Sequence, residues 1–163
     1  MSGPDPYRRL RDAPPTPADE YCRCDGLPAI ALRSVLGPNP IGCSTCNGKV
    51  APETIGFPLD LAEKIACWND VSASLELLWL DSREYEAWAK AQLNDPQSPV
   101  NRRGLAVSRE LSQFRKCYYF LGVHAGRGEK REEPTACSIC GDPLGVSTFL
   151  GRTCEACGVI CEV

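Results

Sequence analysis

The chain has 163 residues, 43% of them hydrophobic and 24% charged, with a formal net charge of −3 at pH 7. That length suits one domain of ordinary size or a core with a small appendage, and the mild acidity argues against a surface given over wholly to phosphate backbone. No apolar run reaches the roughly eighteen residues of a membrane span, and the opening MSGPDPYRRLRDAPPTPADE lacks the apolar core of a secretory signal, so the expected compartment is the cytoplasm.

Residues 1–20 hold five prolines, at 4, 6, 14, 15 and 17, and read as an extended or disordered arm. A core over 21–125 follows. It opens on a cysteine knuckle: Cys22 and Cys24, then Cys43 and Cys46, with LPAIALRSVLGPNPIG between the pairs. The apolar part of that stretch suits a short strand, and GPNP suits a turn. FPLDLAEKIACWND (57–70) reads as a helix with Asp60 as N-cap, Glu63 completing a capping box, and Leu61, Ile65 and Trp68 on one face. LELLWL (75–80) is expected to form a buried strand. A second helix, capped by Asp81 or Ser82, would bury Tyr85, Trp88, Ala89 and Leu93. A third should start at Pro99, which fits the first helical position, and run to about Lys116, burying Val100, Val107, Leu111 and Phe114. Gly104 inside it costs about 1 kcal/mol against alanine, which implies a close packing neighbour. CYYFLGVH (117–124) is a strand by its aromatic content. A polar linker, 126–136, leads to a last module at 137–163. The expected fold class is α+β: about three helices and a few strands, with an N-terminal cysteine knuckle and a C-terminal ribbon.

Eleven cysteines are many for this length. Clustered C-x-x-C pairs in a reducing compartment point to metal rather than disulfides. CSICGDPLGVSTFLGRTCEAC places Cys137 and Cys140 thirteen residues ahead of Cys154 and Cys157. Each pair reaches one ion from a single turn, and two such turns complete a tetrahedron of thiolates around zinc. A tail this short, with Phe149 its only aromatic, lacks the apolar surface to fold alone. Structural zinc would contribute on the order of 10 kcal/mol. Iron is the competing ion, because sulfur-only tetrahedral sites accept either; a dithiol–disulfide pair is the non-metal alternative. Cys43 and Cys46 make a good half-site for a second zinc. Cys22 and Cys24 are either its other half or ordinary loop residues. Cys67, Cys117 and Cys161 read as small apolar core residues.

No catalytic constellation is recognisable. His124 is the single histidine, and a strand puts it about 20 Å from Cys117, on the opposite face. No glycine-rich phosphate loop follows a strand. The expectation is a protein that is not an enzyme. Charge is uneven instead. Residues 60–95 hold eight acids against three bases, whereas 102–131 hold eight bases against two acids. Arg102, Arg109 and Lys116 recur every seven residues, so they would share one side of the third helix, as either a phosphate-binding stripe or a solvated face paired with the acidic helix beside it.

NPIGCSTCNGKVAPE, a helix ending in KIACWND, LWLDSREYEAWAKAQLNDPQSPVNRRGLAVSREL, YYFLG and the closing double C-x-x-C occur in that order over residues 39–162. This order resembles a family of prokaryotic zinc-ribbon proteins of no established function, described as candidates for nucleic-acid binding. The familiar pattern has a Cys-Pro knuckle and aromatics between the pairs, where this chain has CSIC and Phe149 alone. The resemblance implies a bacterial protein with zinc at Cys137, Cys140, Cys154 and Cys157, and no catalytic residues. Two functions follow as expectations. One is a protein-interaction module, such as an immunity protein or antitoxin that covers a basic toxin or nuclease with an acidic face including Asp81, Glu84 and Glu86. The other is nucleic-acid binding through Arg102, Arg109 and Lys116.

Overall fold

A computed structural model describes residues 5–126, 128–130 and 132–162; residues 1–4 of the expected arm and Arg127 and Arg131 of the expected linker lie outside it. The fold is α+β, with three main helices on one face of a five-stranded sheet. In chain order come β1 (Ile30–Leu32), β2 (Ile41–Cys43), the single turn α1 (Pro52–Ile55), α2 (Leu59–Asp81), α3 (Glu86–Asn94), α4 (Pro99–Leu111), β3 (Cys117–Leu121), β4 (Gly151–Cys154) and β5 (Val159–Glu162). The sheet order is β2-β1-β3-β5-β4. β3 lies at the centre, parallel to β1 on one side and to β5 on the other, and each flank is closed by an antiparallel hairpin.

Strand alternation assigns the two faces. Ile30, Leu32, Cys117, Tyr119, Leu121, Val159 and Cys161 belong to the main core with the helices, while Ala31, Tyr118 and Ile160 form a small second cluster, covered by Ala29, Phe120 and Leu150. Residues 5–20 pack against this body. Tyr7 and Leu10 are buried, the Tyr7 hydroxyl donates to the Phe57 carbonyl at 2.7 Å, and Arg9 bridges Glu63 and Asp70 on α2 at 2.6 Å each.

Several element expectations change. LELLWL is not a strand: α2 runs unbroken for 23 residues. No Gly or Pro interrupts 59–81, leucine and glutamate are good helix formers, and Leu75, Leu78 and Trp79 find the core from helical spacing. Asp60 is not the N-cap; Pro58 holds that place, and Asp60 sits in the first turn, where its charge suits the helix dipole. Asp81 and Ser82 end α2 rather than start α3. Arg83 turns the chain at φ +58, and its N–H donates to Glu86 Oε1 at 3.0 Å. α3 is short and buries Ala89 and Leu93, whereas Tyr85 and Trp88 are 55% and 54% exposed, against expectation. α4 starts at Pro99 as expected, with the Ser98 hydroxyl accepting from the Asn101 N–H. It stops at Leu111, which leaves Phe114 exposed and places Lys116 beyond the helix. The aromatic strand is also shorter than expected, ending at Leu121.

Gly104 explains itself. A Cβ there would lie 2.3 Å from Tyr119 Cε2 and 2.5 Å from Trp68 Nε1. Trp68 and Tyr119 pack edge to face with centroids 5.7 Å apart; the indole N–H donates to the Val100 carbonyl, and the Tyr119 hydroxyl donates to Asn101 Oδ1. Alanine would gain about 1 kcal/mol of helix propensity, but it would force two buried rings apart, at a cost of about 1–3 kcal/mol or more. Gly104→Ala is therefore expected to be net destabilising. Urea unfolding monitored by tryptophan fluorescence should show a lower midpoint, and an unchanged or raised midpoint would contradict this packing.

Candidate metal centres

The eight cysteines of the two clusters converge as two separate fours. Cys22, Cys24, Cys43 and Cys46 bring their sulfurs within 4.8 Å of one another, and so do Cys137, Cys140, Cys154 and Cys157. Among the described residues no other group of three or more potential ligands does so. A tetrahedral ion with sulfur bonds of about 2.3 Å sets its ligands about 3.8 Å apart. The Cys140–Cys154 sulfur pair lies at 3.7 Å, on such an edge.

Local sequence builds the turns. In three of the four half-sites the fourth residue after the first cysteine donates its N–H back to that cysteine's carbonyl: Asn47 to Cys43, Gly141 to Cys137 and Gly158 to Cys154, each at 2.9 Å. All three donors have positive φ, +59, +78 and +68, a conformation that glycine and asparagine tolerate best. The same turns aim backbone N–H groups at sulfur: Thr45 at Cys43, Gly48 at Cys46 and Ile139 at Cys137, all at 3.4 Å. Such bonds stabilise thiolate over thiol.

Cys22-x-Cys24 lacks that turn and is placed by pairing instead. Tyr21 bridges Lys49, with the Cys22 N–H donating to the Lys49 carbonyl at 2.8 Å and the Lys49 N–H to the Glu20 carbonyl at 2.9 Å. Gly48 lets the strands approach, since a Cβ there would stand 2.7 Å from the Cys22 nitrogen. At the C-terminal centre an Ala136–Pro143 bridge and the Gly145 N–H to Thr153 carbonyl bond, at 2.7 Å, bring the Cys137 turn beside β4.

The thiols divide electrostatically, as four close acids must. Burial works against Cys46, but the Gly48 N–H and the thiols of Cys22, Cys24 and Cys43 outweigh it and bring it down to about 7. Cys24, hydrogen-bonded first to Cys46, is pushed up to about 12, and burial raises Cys22. In the second group burial opposes but backbone N–H groups from Cys140 and Ile139 and the neighbouring thiols lower Cys137, while burial and its neighbours raise Cys154 and Cys157. Cys46 and Cys137 thus give up a proton more readily, whereas Cys22, Cys24, Cys154 and Cys157 hold theirs until a cation compensates the charge. Four thiolates fill a tetrahedral ion's coordination and leave no position for water or substrate, so such a centre is structural.

The remaining cysteines stand apart. Cys117 is buried, and burial pushes it up to about 12. Cys161 is also buried, and its thiol is raised. Cys67 is only partly buried, and Arg9 Nη1 lies 3.2 Å from its sulfur. His124 packs edge-on to Trp79 at 4.8 Å.

The residues singled out by charge take these places. Asp81 and Glu84 are exposed at the α2–α3 corner, and Glu86 is half-buried, holding the Arg83 N–H. Arg102 and Arg109 are exposed on α4. Lys116 does not continue their stripe: it pairs with Glu155 at 2.9 Å and lies 5.1 Å over the Tyr118 ring. Sequence reasoning expected the exposed apolar residues near that acidic corner to be buried, Leu77 and Leu80 in a strand and Tyr85 and Trp88 in a helical core stripe. No helix among the described residues is long and apolar enough to cross a membrane.

No family model, curated protein or solved structure matches this chain; the resemblance to zinc-ribbon proteins has no support beyond the cysteine groups themselves.

Loaded protein is expected to carry two metal ions per chain by elemental analysis. Cys154→Ser should release one of them while far-UV circular dichroism keeps the helical signal; a variant that still holds two ions would remove Cys154 from the site. Because metal must displace the protons held at Cys22, Cys24, Cys154 and Cys157, affinity should rise with pH. Competition against a chelator should show it falling about tenfold per unit of acidification for each proton displaced.

Proposed function

We propose that both centres hold zinc, and that the chain is a non-enzymatic interaction module whose metal-stapled sheet presents the α2–α3 corner to a positively charged protein. Its finer form is an immunity protein or antitoxin of a bacterial cytoplasm, with the acidic corner occupying the substrate groove of a basic toxin such as a nuclease. One observation carries the reading. Within residues 77–88, Leu77, Leu80, Tyr85 and Trp88 are all more than half exposed, and Asp81 and Glu84 stand among them. Leu77 and Leu80 are one helical turn apart, as are Leu77 and Asp81. Large exposed apolar residues with a charged rim mark protein interfaces, where aromatics supply affinity and charge supplies association rate. A basic partner is the complementary one.

The test is association with the partner recovered from the native host. Reversing Asp81 and Glu84 to lysine should slow association and flatten its salt dependence. Trp88→Ala should chiefly speed dissociation, by about 2 kcal/mol or more if the ring is an anchor. Unchanged kinetics in both variants would dismiss the corner as the interface.

A second reading, nucleic-acid binding, is favoured by the guanidinium groups of Arg102 and Arg109, which are exposed and have no ion pair among the described residues; by contrast Lys64 is tied to Glu110 and Lys116 to Glu155. Affinity for random duplex DNA that falls steeply with salt, and is lost in Arg102→Ala/Arg109→Ala, would favour it over the protein interface.

A further inference from the structure

Away from both cysteine groups, a partly enclosed cavity of about 240 Å³ opens where α2, α4 and the C-terminal end of β3 meet. Its polar lining comes from Ser34, Ser72, Glu76, Asn101, Tyr119, His124 and Glu162, with Trp79 as an aromatic wall. The Asn101 amide donates to the carbonyls of Leu93 and Asp95 at 2.9 and 2.8 Å, and its oxygen accepts the Tyr119 hydroxyl at 2.7 Å. Asn101 is therefore spent as a donor, and Tyr119 has used its only proton. The Tyr119 oxygen keeps its accepting lone pairs. Ser34 Oγ is buried with no hydrogen-bond partner. Glu76, half-buried on α2, makes no hydrogen bond or ion pair among the described residues. Glu162 accepts the Val123 N–H at 2.6 Å.

We infer that this cavity binds a small aliphatic primary amine as its ammonium ion, held by the Glu76 carboxylate with Ser34 Oγ and Tyr119 Oη as further acceptors. An ammonium group has three donors and no acceptor, which matches a carboxylate, a tyrosine oxygen whose proton is spent and a serine hydroxyl able to accept. The Glu76 carboxylate places a negative charge at the cavity wall, and an ammonium ion supplies the opposite charge. The Trp79 ring adds an aromatic surface to which a cation is attracted. The volume lies below that of sites for drug-sized molecules, so the ligand is a short chain. A divalent metal is the poorer occupant, because Glu76, Glu162 and His124 do not converge as a ligand group.

Propylamine and its neutral isostere 1-propanol are the probes, titrated into the metal-loaded full-length protein while the Trp79 indole and neighbouring amide signals are followed by NMR. At the efficiency typical of the smallest ligands, propylamine should saturate in about the millimolar range. Propanol should not bind, and Glu76→Gln should weaken the amine at least about tenfold, the scale of losing one charged hydrogen bond. Ser34→Ala, at a hydroxyl with no bond to lose, should weaken it by a smaller factor and serves if Glu76→Gln fails to fold. Equal binding of propanol, undiminished binding in both variants, or no saturable shift with propylamine would each overturn the assignment. None of these outcomes touches the α2–α3 corner, so the two readings fail separately.

Discussion

The constraint on which the rest of the molecule depends is the double occupancy of β3. Cys117–Tyr119 pair with β1 on one edge and Tyr119–Leu121 pair with β5 on the other, so that Tyr119 is flanked on both sides. Both partners are parallel to it, which demands long connections, and the helices lie in the one that joins β1–β2 to β3. One face of β3 then receives those helices. The Trp68–Gly104–Tyr119 contact fixes how near α2 and α4 can come, and that spacing also shapes the cavity under Asn101 and Tyr119. The other face of the strand, through Tyr118 and Phe120, packs with Ala29 and Ala31 on one side and Leu150 and Ile160 on the other.

The two cysteine centres sit on the outer hairpins of this sheet. A two-stranded hairpin is marginal in water by itself, and each of these is held from two directions: by β3 through backbone pairing, and by four thiols that an ion would cross-link. Three half-sites use one turn, with a backbone bond from the fourth residue on, a left-handed donor, and N–H groups pointed at sulfur. Cys22 and Cys24 reach the same geometry by strand pairing to Lys49. The centres thus resemble each other in coordination but not in construction, and the first depends on the N-terminal segment being docked. That segment is docked, by Tyr7 and Leu10 in the core and by Arg9 across two acids of α2.

Charge and exposed apolar surface are unevenly spread over the helices. On α2, Arg9 engages Glu63 and Asp70, while Asp60 stays exposed in the first turn. Asp81 and Glu84 are exposed at the α2–α3 corner, beside side chains that the fold leaves uncovered. Basic charge on α4 points elsewhere, and its lysine neighbour at 116 is consumed by the ribbon.

The sequence by itself determined the chemistry of the cysteine groups, the α+β class, the Pro99 start of α4 and the close contact at Gly104. Each rests on local rules: spacing within a turn, the missing N–H of proline, the helix cost of glycine. It misread 75–80 as a strand, because a short apolar run fits a buried strand and a helix equally well, and only the absence of a breaker between Leu59 and Asp81 tells them apart. It misplaced Tyr85 and Trp88 for a related reason: a helical apolar stripe says which residues share a face, not whether anything lies against it. Tertiary structure alone decided that Lys116 leaves the α4 stripe for Glu155, and that Ser34, Glu76 and Tyr119, distant in sequence, share one cavity. It also decided that the two cysteine hairpins flank a single strand. Long-range pairing of this kind is set by backbone hydrogen bonds common to every residue, so it leaves no mark on the identity of the side chains that carry it.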